Sequence, residues 1–248
     1  MTPTLTKKEP VELSIFIPSY LEGENLALML PQIKDAAAAL TPNFEILVID
    51  TQEDMDNTGD HCRTYGAIHV HRRGGNTYGD AIRTAIAEAQ GTYILCMDAD
   101  GSHSPSCFPS MWAEREIYQI VIGSRYVLGG NTENPAILIW MSNLVNIVFR
   151  TVFSLPAKDV TNSFRLYHRS VLTDLKLKSN NFDILEEILI KAMIRRPPAG
   201  VTEVPITFGR RKAGESKRKL VPFALGYLNT LWRLRRFAQA ARVEAGEA

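Results

Sequence analysis

Short apolar segments alternate with helical segments in the first half of the chain, and this alternation constrains the fold more than any other feature. The apolar segments occupy residues 13–17, 44–49, 67–71, 93–97 and 120–122. Residues 24–40 and 78–89 lie between them and are predicted to be helices. Because short apolar strands that alternate with helices are typical of parallel βαβ units, we predict an α/β fold with a central, mostly parallel sheet flanked by helices.

Polar residues stand where three of the predicted strands end. Pro18 and Tyr20 follow the first strand, Asp50 follows the second, and Asp98 and Asp100 follow the fourth. Ligands of parallel sheets bind in the crevice beyond the carboxyl ends of the strands. We therefore expect these side chains to meet in one ligand-binding crevice.

The segment Asp98-Ala99-Asp100 places two carboxylates one residue apart at the end of a buried strand. Two like charges at this spacing repel each other unless a positive charge lies between them. Mg²⁺ and other hard cations take carboxylate oxygens together with substrate phosphates. The segment therefore indicates a divalent-cation site, and the alternative is a turn whose aspartates cap a helix near Ser106.

Two other charged features each allow two interpretations. Arg211 and Lys217 lie in a basic loop, residues 210–219, and could bind a diphosphate, or the loop could be a solvated surface. Asp50 could accept hydrogen bonds from a base or a ribose, or it could be a simple turn residue.

Several acidic and imidazole side chains give weaker signals. Glu186 and Glu187 lie in a predicted helix, residues 183–195, where one could face the crevice, but a solvated face or an ion pair with Lys191 is the favoured interpretation. His69 and His71 alternate on one strand, yet no third metal ligand is evident from the sequence, which favours a strand-edge role.

The second half of the chain has longer apolar helices. Residues 135–155 form a predicted apolar helix interrupted by polar side chains, residues 201–208 a strand, and residues 221–241 an amphipathic helix. We predict a polar N-terminal tail over residues 1–11, a single domain over residues 12–220, and a C-terminal amphipathic helix and tail over residues 221–248.

Composition limits the partners and the compartment. The formal net charge of the 248 residues is +1, so no nucleic acid partner is expected. Three scattered cysteines, Cys62, Cys96 and Cys107, suggest a reducing, cytoplasmic location. The N-terminus is polar and lacks a signal-peptide core, and no stretch of about 18 uninterrupted apolar residues predicts a membrane-spanning helix.

Six segments in order resemble family-2 glycosyltransferases of GT-A (Rossmann-like) fold, and more narrowly the dolichyl- and polyprenyl-phosphate mannosyltransferases. The resemblance runs from about residue 12 to residue 220. The segments are PSYLEGENL (18–26), LVID (47–50), GDAIRTAIAEAQGTYILCMDAD (79–100), IGSRYVLGG (122–130), KDVTNSFRLYHRSVL (158–172) and EVPITFGRRKAGESK (203–217).

The resemblance implies a role for each matching residue. The nucleoside would be held by Pro18, Tyr20, Glu22, Val48 and Asp50. Asp98, Ala99 and Asp100 would approach the diphosphate of the nucleotide sugar, with Asp98 and Asp100 as ligands of Mg²⁺ or Mn²⁺ and Asp100 the main one. Arg211 and Lys217 would bind phosphates, and Arg125 with Ser142 would lie at the acceptor. The catalytic residues would then be Asp100, Arg125, Arg211 and Lys217.

The function that this resemblance implies is a metal-dependent, inverting transfer of a hexose, with mannose from GDP-mannose favoured, to a polyprenyl or dolichyl phosphate at the cytoplasmic membrane face. Five positions depart from the family pattern, namely Thr51, Ser102, Leu138, Asn162 and Ser163. They keep two alternatives open. One is transfer of another hexose to a polysaccharide or a small soluble acceptor, and the other is a catalytically silent subunit that binds sugar nucleotides.

Two apolar helices raise the question of membrane contact. Residues 135–155 and 221–241 are candidates for interfacial helices, and the second carries Trp232 and Phe237 among arginines. The helices could instead pack on the protein core or at the interface of a homo-oligomer. Peripheral membrane attachment is therefore a hypothesis.

Overall fold

The computed structural model describes residues 9–194, 198–211 and 220–244, and it places seven strands in one central sheet. The strands of this sheet are β1 (Leu13–Pro18), β2 (Phe44–Asp50), β3 (Ile68–His71), β4 (Tyr93–Cys96), β5 (Ile120–Ser124), β7 (Arg165–His168) and β8 (Val201–Pro205). Two shorter strands, β6 (Asn131–Thr132) and β9 (Thr207–Phe208), form a separate parallel pair.

The spatial order of the central sheet is β3-β2-β1-β4-β7-β5-β8. All neighbouring pairs are parallel except those of β7, which runs antiparallel to both β4 and β5. The mostly parallel sheet predicted from the sequence is therefore confirmed. Strand β7 was not predicted, because its four residues include the fully buried Arg165, which breaks the apolar pattern.

Eight α-helices surround the sheet in the described part of the chain. They are α1 (Gly23–Ala38), α2 (Thr58–Tyr65), α3 (Tyr78–Glu88), α4 (Phe108–Ala113), α5 (Ala136–Phe153), α6 (Arg169–Leu172), α7 (Ile184–Ile194) and α8 (Leu220–Glu244). The long helices agree with the sequence prediction, and α1 continues through Pro31. Helix α2 was missed because its sequence, TGDHCRTY, is mostly polar.

Local sequence determines where α3 begins. The Thr77 side chain accepts from the backbone N–H of Asp80 at 3.1 Å, and the Asp80 carboxylate accepts from the N–H of Thr77 at 3.0 Å. This reciprocal capping satisfies two backbone donors of the first turn. A side chain at Gly79 would come within 2.2 Å of the carbonyl oxygen of Ser179, so only glycine allows this close packing.

Apolar side chains fill both faces of the sheet. One cluster joins the sheet to α3, α7 and parts of α5 and α8, and contains Phe16, Ile82, Phe149 and Leu189. The other joins the sheet to α1 and α4 and contains Ile15, Leu30 and Met111. Because both faces of the sheet are covered, a ligand can reach the sheet at the carboxyl ends of β1, β2, β4 and β5.

Helix α5 has an exposed apolar face. By length and composition, α5 could cross a membrane, with a mean hydropathy of 1.6 over 18 residues, of which 11% are buried. The sequence had predicted no such helix, because Asn143, Asn146 and Arg150 interrupt the apolar run, but the remaining side chains keep its mean hydropathy high. Packing does cover Phe149, which contacts Tyr227 of α8 edge-on at 5.9 Å.

Candidate active site

The loops after β1, β2 and β3 are joined by one buried arginine. Arg72 donates to the carbonyl oxygens of Ser19, Asn76 and Thr77, and its guanidinium lies 6.0 Å from the centre of the Tyr20 ring. Burial lowers the pKa of Arg72, although Asp50 and Asp80 oppose this change. The backbone N–H of Arg72 also donates to the carbonyl oxygen of Asp50 at 3.0 Å, so Arg72 holds the first three strand ends together and adds positive charge beside Tyr20.

The two carboxylates after β4 occupy a tight turn. One oxygen of Asp100 accepts hydrogen bonds from the backbone N–H of Ser102 at 3.0 Å and from its hydroxyl at 2.6 Å. Gly101 between them has a φ of 81°, a conformation that favours glycine. Ser104, and not an aspartate, caps the short 3₁₀ helix at Pro105–Cys107. The aspartates are therefore not used as helix caps, which was the alternative interpretation of this segment.

Asp98 is positioned by residues from two other segments. Its carboxylate oxygen Oδ1 accepts from the Ser163 hydroxyl at 2.9 Å, and its backbone N–H donates to Nδ1 of His103 at 3.0 Å. Since Nδ1 of His103 accepts, its proton is on Nε2, which donates to Asn162 at 3.1 Å. Burial lowers the pKa of His103, which favours this neutral form.

The chemistry of these groups fits a hard divalent cation. In both aspartates the hydrogen bonds from serine go to Oδ1. Within the described part of the chain, the Oδ2 atoms of Asp98 and Asp100 accept no hydrogen bond. Carboxylate oxygens are the ligands that Mg²⁺ and Mn²⁺ prefer. Each aspartate thus has an oxygen available for a cation and another that fixes its orientation.

The segment that follows β9, residues 209–211 (the strap), brings Arg211 to the strand ends that carry Asp98 and Asp100. The backbone N–H of Gly209 donates to the carbonyl oxygen of Ser102 at 2.9 Å, which ties the strap to the Asp100 turn. Two residues later, Arg211 forms an ion pair with Glu22, whose other oxygen accepts from Asn25 at 2.7 Å. The structure therefore brings together Glu22 and Arg211, which the sequence assigned to nucleoside and phosphates. Lys217 lies outside the described residues.

Arg125 and Ser142 form a second polar cluster. The guanidinium of Arg125 donates to both carboxylate oxygens of the buried Asp159, at 2.8 and 2.7 Å, and to Ser142 at 3.1 Å. Burial alone would lower the pKa of Arg125, but the hydrogen bonds and charge of Asp159 raise it above the ordinary value. Thr161 bonds to both Arg125 and Ser142, so the two predicted acceptor residues belong to one network.

The residues expected to hold the nucleoside differ in how far their side chains are exposed. Asp50 is buried, accepts from the backbone N–H of Thr51 at 2.8 Å, and lies 3.0 Å from Nε2 of His69. Tyr20 is exposed at the end of β1, whereas Ala99 is buried in the turn. The side chain of Val48 is fully buried in the core, so it offers no exposed surface to a nucleoside. Pro18 ends β1 and pairs with Ile49.

Sequence reasoning missed the residues that support the site. Arg72, His103 and Asp159 act through contacts across 34 to 59 residues of sequence, which no local pattern reveals. Asn162 and Ser163 were noted only as departures from a motif. Asn162 and Ser163 are polar and directly follow the motif residues Asp159 and Thr161, which was the one sequence signal that they support the site.

This arrangement can be compared with known proteins. The family model of Glycosyl transferase family 2 matches residues 14–176. The chain belongs to this family. The match confirms the family and the class of enzyme, a glycosyltransferase, that the sequence motifs indicated.

Two family members show the similarity at greater length. A dolichol-phosphate mannosyltransferase of Pyrococcus furiosus is 34% identical over 219 residues, which cover 84% of this chain and 60% of the relative. An undecaprenyl-phosphate mannosyltransferase of Micrococcus luteus is 31% identical over 214 residues, covering 81% of this chain and 85% of the relative. This family-2 chain thus spans about three fifths of the first relative's length.

Solved structures show the same fold. The glucosyl-3-phosphoglycerate synthase of Mycobacterium tuberculosis in complex with Mn²⁺, uridine-diphosphate and glucosyl-3-phosphoglycerate superposes with a TM-score of 0.66 at 16% identity, covering 90% of this chain and 80% of that one. Its complex with Mg²⁺ and uridine-diphosphate gives a TM-score of 0.68 at 16% identity, with 90% and 79% coverage. These likenesses confirm the expected GT-A fold.

Proposed function

We propose that this family-2 chain is an inverting, metal-dependent transferase that moves a hexose from a nucleoside diphosphate to a polyprenyl phosphate. Mannose from GDP-mannose is the favoured donor, since both curated relatives are mannosyltransferases whose names specify a polyprenyl-type phosphate. The observation that carries the proposal is the meeting of Asp98, Asp100 and the Glu22–Arg211 pair at one edge of the sheet.

The donor would bind along the ends of β1, β2 and β4. Tyr20, Glu22 and Asp50 would contact the nucleoside, while Asp98 and Asp100 would hold Mg²⁺ or Mn²⁺ at the diphosphate. A cation bound there would neutralise the charge that develops on the leaving diphosphate. Arg211 could exchange its ion pair with Glu22 for the donor phosphates, because an arginine binds phosphate as readily as carboxylate. Lys217 would add a second positive charge.

The acceptor would bind next to Arg125 and Ser142. A lipid phosphate is already an anionic nucleophile, so it needs orientation more than a general base. Its oxygen would attack the anomeric carbon as the bond from that carbon to the diphosphate oxygen breaks. This single displacement inverts the configuration, and the nucleoside diphosphate leaves with the bonding electrons.

We place the lipid chain of the acceptor along α5. Ser142 bonds to Arg125, while Ile137 and Trp140 of the same helix are 61% and 63% exposed. Trp232 on α8 is also exposed and lies beside Arg236, with 4.7 Å between the guanidinium and the ring. Apolar anchors next to basic side chains suit a bilayer surface. We propose peripheral attachment to the cytoplasmic membrane face through these two helices.

The direct test is transfer of labelled sugar from GDP-mannose, UDP-glucose and UDP-N-acetylglucosamine to a short polyprenyl phosphate, with Mn²⁺, with Mg²⁺ and with chelator. We expect cation-dependent transfer from GDP-mannose. Asp100→Asn should lower kcat at least about 100-fold, because the leaving charge loses its cation. Asp60→Asn is the matched control, since Asp60 is an exposed carboxylate that forms an ion pair with its helix neighbour Arg63.

The other outcomes separate the alternatives. Transfer from a UDP-sugar, or to a soluble acceptor only, would replace the mannosyl and lipid assignments while keeping the enzyme. Binding of a donor without any turnover would favour a silent subunit. Full activity of Asp100→Asn in chelator would contradict the role of the two carboxylates.

A further inference from the structure

A second group of metal-ligating side chains lies at the outer edge of the sheet. His69 and His71 project from β3, and Asp54 comes from the loop between β2 and α2. Their ligand atoms all lie within 4.8 Å of one another. Nε2 of His69 is 3.9 Å and Nε2 of His71 is 3.7 Å from the same carboxylate oxygen of Asp54. The third ligand that the sequence did not reveal is thus supplied by the fold.

The hydrogen bond of His71 prepares its free nitrogen for a metal ion. Nδ1 of His71 lies 2.7 Å from the carbonyl oxygen of Thr51. A carbonyl has no proton to donate, so Nδ1 carries the proton and Nε2 carries the lone pair. Histidines that bind metals commonly donate their other N–H to a carbonyl in this way, which fixes the ring and its tautomer.

The loop that carries Asp54 is held on both sides of that residue. Before it, the backbone N–H of Gln52 donates to the Asn76 side chain at 2.8 Å, and the Thr51 hydroxyl donates to the carbonyl of Glu53 at 2.6 Å. After it, the Asp56 carboxylate accepts from the backbone N–H groups of Gly23 and Thr58, at 3.0 and 2.9 Å. Asp54 is therefore kept near the histidines although its side chain is exposed.

The spacing of the three ligands suits a four-coordinate ion after a small contraction. Zinc bonds to imidazole nitrogen and carboxylate oxygen are about 2.0–2.2 Å long, so tetrahedral ligands stand roughly 3.3–3.5 Å apart. The two separations from Asp54 are wider, at 3.7 and 3.9 Å, and all three ligand atoms lie within 4.8 Å of one another, so the side chains must move together on binding. The carboxylate of Asp50 accepts a hydrogen bond from Nε2 of His69 at 3.0 Å, so this nitrogen must release its proton when a metal ion binds.

We propose that Asp54, His69 and His71 form a second cation site, selective for a borderline transition metal such as Zn²⁺. Imidazole ligands suit Zn²⁺, whereas the all-oxygen pair Asp98 and Asp100 suits Mg²⁺ or Mn²⁺. An ion at this site ties the β2–α2 loop to β3. It also takes the His69 nitrogen that faces Asp50, so it alters the environment of a residue that we place at the nucleoside.

The test is titration of the whole, chelator-treated protein with Zn²⁺ by calorimetry, with Co²⁺ absorption as an independent report of ligand type. We expect one tight Zn²⁺ equivalent in the wild type. His71→Ala and Asp54→Asn should each weaken binding at least about 100-fold, while Asp100→Asn should leave it unchanged. His168→Ala is the matched control, because His168 ends β7, which three strands separate from β3.

Three results would overturn the site. They are wild-type Zn²⁺ affinity in both His71→Ala and Asp54→Asn, loss of the tight equivalent in Asp100→Asn, and absence of a tight equivalent in the wild type. Circular dichroism should show that the variants are folded, and Asp54→Asn changes only an exposed side chain. Because the readout is metal binding, it is independent of whether the proposed transfer reaction is correct.

Discussion

The contact between Ser163 and Asp98 shows how a single residue can adapt a family motif. Asn162 stands where the resembled motif has serine, and Ser163 stands where it has glycine. In this fold, the Ser163 hydroxyl donates to Asp98, and Asn162 joins His103 to the carbonyl of Gly123. Both departures therefore support the turn that carries the two aspartates. We regard Ser163 as a positioning residue for Asp98.

Loss of this hydroxyl should affect the dependence on cation more than the fold. In Ser163→Ala, Asp98 loses the donor that orients its carboxylate, and a hydrogen bond to a charged group contributes roughly 1.5–3 kcal/mol. We expect the Mn²⁺ concentration for half-maximal transfer to rise about tenfold, with little change in Tm. Ser163→Thr retains the hydroxyl and should restore much of the affinity. An unchanged Mn²⁺ dependence in Ser163→Ala would remove Ser163 from the site.

At the scale of elements, α7 carries two adjacent glutamates with different roles. Glu187 forms the predicted ion pair with Lys191 at 2.7 Å and also accepts from the backbone of Ser179. Burial would raise its pKa, but the hydrogen bonds from Lys191 and Ser179 lower it below the usual value. Glu186 is fully buried, and Tyr227 donates to its carboxylate at 3.3 Å. The ion pair with Lys191 is thus found for Glu187, while the solvated face, the other favoured interpretation, is found for neither glutamate.

Glu186 should make the packing of α7 depend on pH. Burial raises its pKa from 4.5 to about 8, although Arg165 opposes the shift. The folded state therefore binds a proton more tightly than the unfolded state, and stability falls as pH rises from about 4.5 to about 8. Glu186→Gln stays neutral, so it should remove this loss, which is on the order of a few kcal/mol.

Urea unfolding of the wild type and Glu186→Gln at several pH values measures this effect. The variant should gain stability relative to the wild type as pH rises towards 8. The free energies of unfolding of the two proteins should be most similar at acidic pH. Glu187→Gln provides the contrast. Because the folded state lowers the pKa of Glu187, that variant should lose stability at neutral pH. A parallel pH profile for the wild type and Glu186→Gln would show that Glu186 is ionised in the folded protein.

At the scale of the whole molecule, polar and apolar surfaces are arranged around one end of the sheet. The strand ends carry Asp98, Asp100 and Arg211, and α5 connects this edge to an apolar surface through Ser142 and Trp140. Exposed apolar side chains on one helix face mark an interaction surface. The acceptor proposed for the site is a lipid, which makes a bilayer the occupant that we favour over a second copy of the chain.

Membrane binding should depend on the apolar face of α5. In flotation with vesicles that contain anionic lipid, we expect the wild type to float and Trp140→Glu to stay in the soluble fraction, because a charge replaces an apolar anchor. Ile117→Glu is the matched control, since Ile117 is 69% exposed and precedes the start of β5, whereas the site lies where the strands end. Equal flotation of all three proteins would exclude this face. A soluble wild type that sediments as a dimer, and a monomeric Trp140→Glu, would instead assign it to self-association.

Sequence patterns were enough to predict the βαβ alternation, the strand ends that carry Asp50, Asp98 and Asp100, and the family. These features depend on local periodicity and on motifs of adjacent residues, which a chain displays without being folded. The extent of the single domain over residues 12–220 stays a prediction.

Contacts between residues that are distant in sequence became visible only in the folded protein. The antiparallel insertion of β7, the pairing of Arg211 with Glu22, the contact of Ser163 with Asp98, and the approach of Asp54 to His69 and His71 all join segments that are separate in sequence. Such contacts arise because packing both faces of the sheet fixes the strand order and register, which set the distances between side chains on different strands.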